Sequence, residues 1–192
     1  MTQSAVASTY PVHTVETAPE AARQGLRGLQ AAVGLIPNLA ATMATSPGLL
    51  NGFLALRELY AAGSFSPADI QVLSIVSATE NDCAWCVAFH TAIALKEGVP
   101  ADVVDSLRAA RAPGDARWAA LTDFARAMVR GRGNVGPAAL ARFLAAGFTR
   151  EQALEVVLGM GFSLLANYAH HLTQAPLDAF LAPHAWKNPA AR

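Results

Sequence analysis

Apolar residues recur along this chain at the three- and four-residue steps of an amphipathic helix. Leu49, Phe53, Leu56 and Tyr60 show this spacing, whereas the alternation typical of a strand never extends beyond a few residues. Prolines, glycines and capping residues separate the apolar stretches. The pattern predicts an all-α protein, a single-domain helical bundle of about eight to ten helices.

The helix boundaries follow from capping signals. Ser46-Pro47 and Ser66-Pro67 each begin a helix, Thr149 and Gln152 match a capping box, and Asp82 is expected to cap the helix that carries both cysteines. The predicted helices are Pro19 to about Val33, a short one capped by Asn38, Pro47 to Gly63, one from Pro67, the cysteine helix ending at Gly98, Pro100 to Arg111, Ala116 to Arg130, Pro137 to Ala146, Thr149 to His171, and a short last helix between Pro176 and Pro183. We expect a flexible N-terminal arm over residues 1–18, a helical domain over 19–183 and a C-terminal tail over 184–192.

Composition narrows the class of protein. The 192 residues are 53% hydrophobic and 15% charged, and 14 basic residues balance 14 acidic ones. A balanced, scattered charge excludes the basic surface that nucleic acid or an anionic membrane requires. We expect no membrane span, because the most apolar run, 153–169, contains Glu155 and two glycines. With no signal-peptide pattern and only two cysteines, a cytoplasmic location is expected.

The candidate chemistry lies in residues 83–90, which read Cys-Ala-Trp-Cys-Val-Ala-Phe-His. On a helix, Cys83, Cys86 and His90 fall within roughly 60° of one another. Two thiols and an imidazole at one place suit dithiol redox chemistry: the helix N-terminus favours a thiolate at Cys83, and His90 can accept the proton of Cys86. Trp85 and Phe89 would give the site an apolar wall.

The same spacing has two other interpretations. A Cys-x-x-Cys pair is half of a zinc site, with His90 as third ligand and Glu80, His170 or His171 as a fourth. The pair could also be structural and unreactive. Elsewhere, His170 and His171 are expected to interact favourably with the negative C-terminal end of their helix dipole. Asn167 and Tyr168 are expected to hydrogen-bond to a neighbouring helix.

From Ser66 to Gly98 the sequence resembles the AhpD-like alkylhydroperoxidase branch of the carboxymuconolactone decarboxylase family. The resemblance rests on Ser66-Pro67, the apolar helix after it and residues 81–90, and it extends to residues 34–39, 167–171 and 176–178. It implies an AhpD-like helical bundle that acts as an oligomeric thiol peroxidase. In the family the second cysteine, here Cys86, attacks the peroxide, and the first, here Cys83, resolves the sulfenic acid into a disulfide.

The resemblance also implies a proton relay between His90 and a glutamate twelve residues before the first cysteine. That position here is Gln71, whose amide hydrogen-bonds but carries no proton or charge. Either the relay is weakened or another carboxylate substitutes, and Glu80 and Asp69 are the nearby candidates. Glu80 could equally be an ordinary carboxylate at a helix end.

These observations predict a thiol-dependent peroxidase with Cys83, Cys86, His90, Glu80 and Gln71 as its candidate catalytic residues. Its partners would be a hydroperoxide substrate, an external dithiol or disulfide reductase, and further copies of itself in a trimer or hexamer. No cofactor is expected, since flavin and nicotinamide motifs are absent. No metal is expected either, because the redox interpretation of the cysteine pair is preferred to the zinc one. The alternatives are a non-catalytic redox sensor or thiol-exchange protein, and a lyase of the decarboxylase type.

Overall fold

The computed structural model describes residues 9–190, and this part of the chain is helical without strands. The helices are α1 Glu20–Val33, α2 Asn38–Met43, α3 Pro47–Ala61, α4 Pro67–Glu80, α5 Ala84–Lys96, α6 Ala101–Arg108, α7 Ala116–Arg130, α8 Gly136–Ala145, α9 Arg150–Thr173 and a last 3-10 helix Ala179–His184. The predicted fold class and helix number are therefore confirmed. None of the helices in the described part is long and apolar enough for a membrane span.

Helix α4 is the centre of the bundle. Every residue from Val72 to Thr79 is buried, and α5, α6, α7 and α9 all pack against this helix. An apolar cluster on one side surrounds Cys83 and Cys86 and draws on α1, α2, α3 and α9. A second cluster joins α4 to α6, α7 and α8. Because α4 separates the two clusters, its C-terminal end is fixed from both sides.

Two of the predicted boundaries are wrong. Asp82 does not cap α5; it adopts a left-handed conformation with φ 55°, and Cys83 is the N-cap instead. The last helix is a 3-10 helix that begins at Ala179 and includes Pro183. The capping box of Thr149 and Gln152 is present as predicted.

The ends of the chain pack onto the bundle where they are described. Val15 and Ala18, from the predicted arm, are buried in the cysteine-side cluster, and Trp186, from the predicted tail, packs against it. Residues 1–8 of the arm and 191–192 of the tail lie outside the described residues. The domain boundaries stay predictions.

The close approach of α3 to α9 depends on one glycine. A Cβ on Gly159 would lie 2.5 Å from Cζ and 2.6 Å from the hydroxyl oxygen of Tyr60, which is buried. Next to this contact, the rings of Phe53 and Phe162 stack with centroids 4.7 Å apart. The two helices can therefore pack this closely only with glycine at 159.

We predict that Gly159→Ala lowers the free energy of unfolding by about 2 kcal/mol or more, because the added methyl forces Tyr60 out of place. Gly28→Ala is the control: it lies inside α1 with open space around it. That change should stabilise by about 0.5–1 kcal/mol through helix propensity. Urea unfolding of both variants measures the difference, and equal effects would contradict the packing argument.

Candidate active site around the Cys83–Cys86 pair

The turn between α4 and α5 places the two sulfurs together. After α4 ends, the left-handed Asp82 reverses the chain, and the N–H of Cys83 donates to the carbonyl of Ala78 at 2.9 Å. Cys83 then caps α5, its Sγ accepting the N–H of Cys86 at 3.3 Å. The two residues form a disulfide with Cα atoms 5.3 Å apart, and both are fully buried.

The N-cap position of Cys83 also favours a thiolate at this residue when the disulfide is reduced. The sulfur of an N-cap cysteine occupies the place of a capping oxygen, where free N–H groups and the positive end of the helix dipole favour an anion. The same turn that brings Cys83 to Cys86 therefore also supplies the field that stabilises a thiolate. Sequence spacing predicted the juxtaposition, but it put Cys83 inside the helix.

His90 lies one turn beyond Cys86 and bonds to Gln71. Its Nδ1 is 2.8 Å from Oε1 of Gln71, across the contact between α4 and α5. Because an amide oxygen only accepts, Nδ1 carries the proton and Nε2 keeps its lone pair. Burial lowers the pKa of His90 from 6.5 to about 4, because the charged ring is poorly solvated there. At neutral pH the ring is therefore a neutral proton acceptor.

The structure pairs Glu80 with arginines rather than with His90. Its carboxylate accepts from Nε and Nη2 of Arg130 at 2.7 and 2.8 Å, and Nε of Arg126 lies 3.6 Å away. This cluster joins the C-terminal end of α4 to α7. The contacts fit the role of an ordinary helix-end carboxylate, one of the two considered for this residue.

Asp69, the other candidate carboxylate, also has partners of its own. It binds both terminal nitrogens of Arg117 at 2.7 and 2.9 Å and accepts from the indole N–H of Trp118 at 2.8 Å. These bonds hold the pKa of Asp69 below its usual value, although burial opposes them. Within the described part of the chain, Gln71 is thus the side chain that hydrogen-bonds to the His90 ring.

A carboxylate far along the chain holds the aromatic wall of the site. Trp85 and Phe89 stack with centroids 5.0 Å apart, and the indole N–H of Trp85 donates to buried Asp178 at 3.0 Å. Asp178 also accepts the backbone N–H of Asn38 at 3.0 Å, at the start of α2. Asp178 lies in residues 176–178, one of the segments of the family resemblance, but no local pattern in the sequence signals its contact with a residue 93 positions away.

Polar residues of α9 lock the turn before Cys83. The amide of Asn81 donates to buried Asn167 at 3.1 Å, as expected for a bond to a neighbouring helix, whereas Tyr168 is exposed. The Nε2 of His171 lies 2.7 Å from the backbone carbonyl of Asn81, so its N–H donates there. Burial lowers the pKa of His170 to about 4.

The zinc interpretation lacks a ligand set in residues 9–190. No group of three or more histidine, cysteine or carboxylate residues in that part of the chain could hold a metal ion. Two of the suggested fourth ligands are engaged elsewhere, Glu80 with Arg130 and His171 with Asn81.

The fold and site define a class: an all-helical protein with a buried Cys-x-x-Cys disulfide at a helix N-terminus and an amide–imidazole pair behind it. Residues 47–130 match the sequence model of the carboxymuconolactone decarboxylase family. This segment runs from α3 to α7 and contains both cysteines, Gln71 and His90. The predicted resemblance is confirmed: residues 47–130 belong to this family, within a chain that has the AhpD-like fold.

Solved structures of similar fold cover almost the whole chain. An alkylhydroperoxidase AhpD core, an uncharacterized peroxidase-related protein from Ralstonia eutropha JMP134, is 23% identical, with TM-score 0.81 over 93% of this chain and 96% of that one. A peroxidase-related protein from Silicibacter sp. TM1040 is 21% identical, with TM-score 0.76 over 94% and 97%. The debrominase Bmp8, solved as a variant with 2,3,4-tribromopyrrole, is 16% identical, with TM-score 0.77 over 94% and 97%. No curated protein sequence matches the chain.

The shifted pKa of His90 predicts a pH-dependent stability. Between pH 6.5 and about 4 the unfolded chain binds a proton at this residue and the folded chain does not, so acidification favours unfolding. The free energy of unfolding of wild type relative to His90→Gln should therefore fall as the pH is lowered through this window. Urea unfolding of both proteins at several pH values measures it. Parallel pH profiles would show that the folded ring is not held neutral.

We predict that Asp178→Asn destabilises the oxidised protein by about 1–2 kcal/mol, since either the buried indole N–H of Trp85 or the part-buried N–H of Asn38 loses its charged acceptor. The control Asp105→Asn changes an exposed carboxylate of α6 and should stay within about 0.5 kcal/mol. Thermal unfolding followed by Trp fluorescence measures both changes. Equal stability of the two variants would contradict a positioning role for Asp178.

Proposed function

We propose that this protein is a thiol-dependent peroxidase that reduces hydroperoxides through Cys86 and Cys83. The observation that carries the proposal is the buried Cys83–Cys86 disulfide at the N-terminus of α5, with neutral His90 one turn further along. A nucleophile, a resolving thiol and a proton acceptor on one helix are what a peroxidase of this kind needs. The structural similarity of the chain to two peroxidase-related proteins supports the same reaction class.

In the proposed reaction, His90 accepts the proton of the Cys86 thiol at Nε2. The thiolate sulfur bonds to the distal oxygen of the peroxide, the O–O bond breaks, and the proton returns to the departing alkoxide to give an alcohol. Cys86 is then a sulfenic acid. The thiol of Cys83 attacks its sulfur, water leaves, and the disulfide forms. An external dithiol supplies two electrons and two protons to restore both thiols.

Gln71 sets the strength of this relay. An amide orients His90 and fixes its tautomer, but it cannot stabilise the imidazolium that forms when the ring takes a proton. Glu80 and Asp69 are held by Arg130 and Arg117, so neither offers His90 a charge without rearrangement. We propose that His90 works with an amide alone, which makes the parent protein a slow peroxidase.

The burial of both sulfurs restricts the reductant. A small hydroperoxide needs only a narrow path to Cys86, whereas a dithiol or disulfide reductase must bring its own sulfur into line with the disulfide. Because neither cysteine has appreciable exposed surface, reduction requires local opening of the turn at residues 81–83. We also propose that the protein is cytoplasmic and forms a homo-oligomer.

The test is consumption of tert-butyl hydroperoxide with dithiothreitol as reductant. Cys86→Ser should abolish turnover, and Cys83→Ser should reduce it at least about a hundredfold, since serine retains the N-cap bond but cannot resolve the sulfenic acid. Slow turnover is expected from the parent protein. If the parent shows none while its disulfide still forms and is reduced reversibly, the protein is a redox sensor or thiol-exchange protein. A decarboxylase-type lyase activity would survive both substitutions.

We predict that Gln71→Glu raises the peroxidase rate at least about tenfold, because a carboxylate stabilises the His90 imidazolium. The pKa of His90, followed by NMR, should rise from about 4 towards neutrality. The control Gln24→Glu adds the same charge on the exposed side of α1. If both variants behave like the parent, Gln71 does not limit the relay.

A further inference from the structure

The peptide group between Asn81 and Asp82 is held by helix α9. Its carbonyl oxygen accepts the Nε2–H of His171 at 2.7 Å. The side-chain amide of Asn81 donates to Oδ1 of Asn167 at 3.1 Å and to the backbone carbonyl of Ser77 at 2.9 Å. The turn is therefore held both at its backbone and at a side chain. Two of these three bonds come from residues 86 and 90 positions along the chain.

The bond from His171 also fixes the left-handed backbone of Asp82. Its φ of 55° costs free energy for a residue with a Cβ, although aspartate tolerates it better than most. Rotation about the N–Cα bond of Asp82 sets this angle and turns the peptide group whose carbonyl His171 holds. Relaxation to a negative φ would therefore break this bond. It would also move Cys83 out of its N-cap position and away from the carbonyl of Ala78, to which its N–H donates at 2.9 Å.

The closed turn obstructs the reductive half of the proposed cycle, and the inference below rests on that proposed function. Cys83 is 0% and Cys86 1% exposed, so a dithiol cannot align its sulfur with the disulfide until the turn opens. One thiolate of the dithiol then bonds to one cysteine sulfur, and the other cysteine leaves as a thiolate. The second thiol of the reductant displaces the first cysteine. The dithiol becomes a disulfide, and two electrons and two protons pass to the cysteines.

We propose that Asn167 and His171 are positioning residues for this step: they latch the turn closed and set the rate at which a dithiol reaches the disulfide. Both act through Asn81, since it is the residue that they hold. Loss of either bond raises the fraction of molecules in which the turn is open. The peroxide step does not depend on this opening, because a small hydroperoxide needs only a narrow path to Cys86.

The latch is tested by reducing the oxidised protein with dithiothreitol in the absence of peroxide. Acid-quenched samples are alkylated with N-ethylmaleimide, and mass spectrometry counts the free thiols. His171→Leu, at an exposed position, should raise the second-order rate constant about threefold to tenfold, as should Asn167→Ala. His171→Gln should restore most of the parent rate, because its amide can donate in place of the Nε2–H. His13→Leu is the matched control, since the His13 ring bonds to Thr17 and Thr45 instead. Parent rates in both His171→Leu and Asn167→Ala overturn the proposal.

Two further measurements separate a local latch from a general loss of stability. The amide hydrogen of Cys83, followed by NMR, should exchange with solvent faster by the same factor as the disulfide is reduced. Gly159→Ala, which weakens the packing of α3 on α9, should leave both rates unchanged. If it accelerates them as much as His171→Leu does, reduction proceeds through global unfolding and the latch is contradicted.

The oxidative half-reaction provides an independent comparison. Oxidation of the reduced His171→Leu protein by tert-butyl hydroperoxide should proceed at the parent rate, because its path does not include the turn. Equal acceleration of oxidation and reduction would contradict a role confined to the reductant. A parent protein that is inert to peroxide would contradict the proposed function alone, since the dithiothreitol measurement needs no peroxide.

Discussion

The site depends on the burial of α4 from every side. Four helices pack against it, so Gln71 near its start and the turn at its end are fixed relative to each other. The left-handed backbone of Asp82 then reverses the chain within three residues and makes Cys83 the N-cap of α5. That constraint brings Cys83 to Cys86 and Gln71 to His90. The network of Asn81, Asn167 and His171 holds the same turn from α9.

His90 is paired with the side-chain amide of Gln71, and not with the glutamate that the family resemblance implies at this position. The two carboxylates nearest to Gln71 in the sequence, Asp69 and Glu80, form bidentate pairs with arginines. Asp69 ties the start of α4 to the start of α7, and Glu80 ties the end of α4 to the end of α7. They support the scaffold, and the proton acceptor is left with a neutral neighbour. The fold alone does not specify a reaction, since structures that share it include peroxidase-related proteins and a debrominase. The function must therefore be argued from the sulfurs, the imidazole and the amide.

Much of this architecture could be predicted from the sequence, because helical spacing and capping residues are local signals. The helix number, the capping box at Thr149 and the convergence of Cys83, Cys86 and His90 are of this kind. The left-handed turn at Asp82 could not be predicted, because aspartate is as common at an N-cap as in a turn. The roles of Asp178 and Arg130 depend on tertiary contacts with residues 93 and 50 positions away, on which a local pattern carries no information.

The central claim is that Cys86 is the sulfur that attacks the peroxide. It is tested most directly by treating reduced Cys83→Ser protein with one equivalent of hydroperoxide and trapping sulfenic acid with dimedone, with Cys86→Ser treated in parallel. Mass spectrometry should find the adduct on Cys86 in the first variant and little on Cys83 in the second. Adduct formation on Cys83 at an equal or greater rate, or on neither residue, would contradict the account.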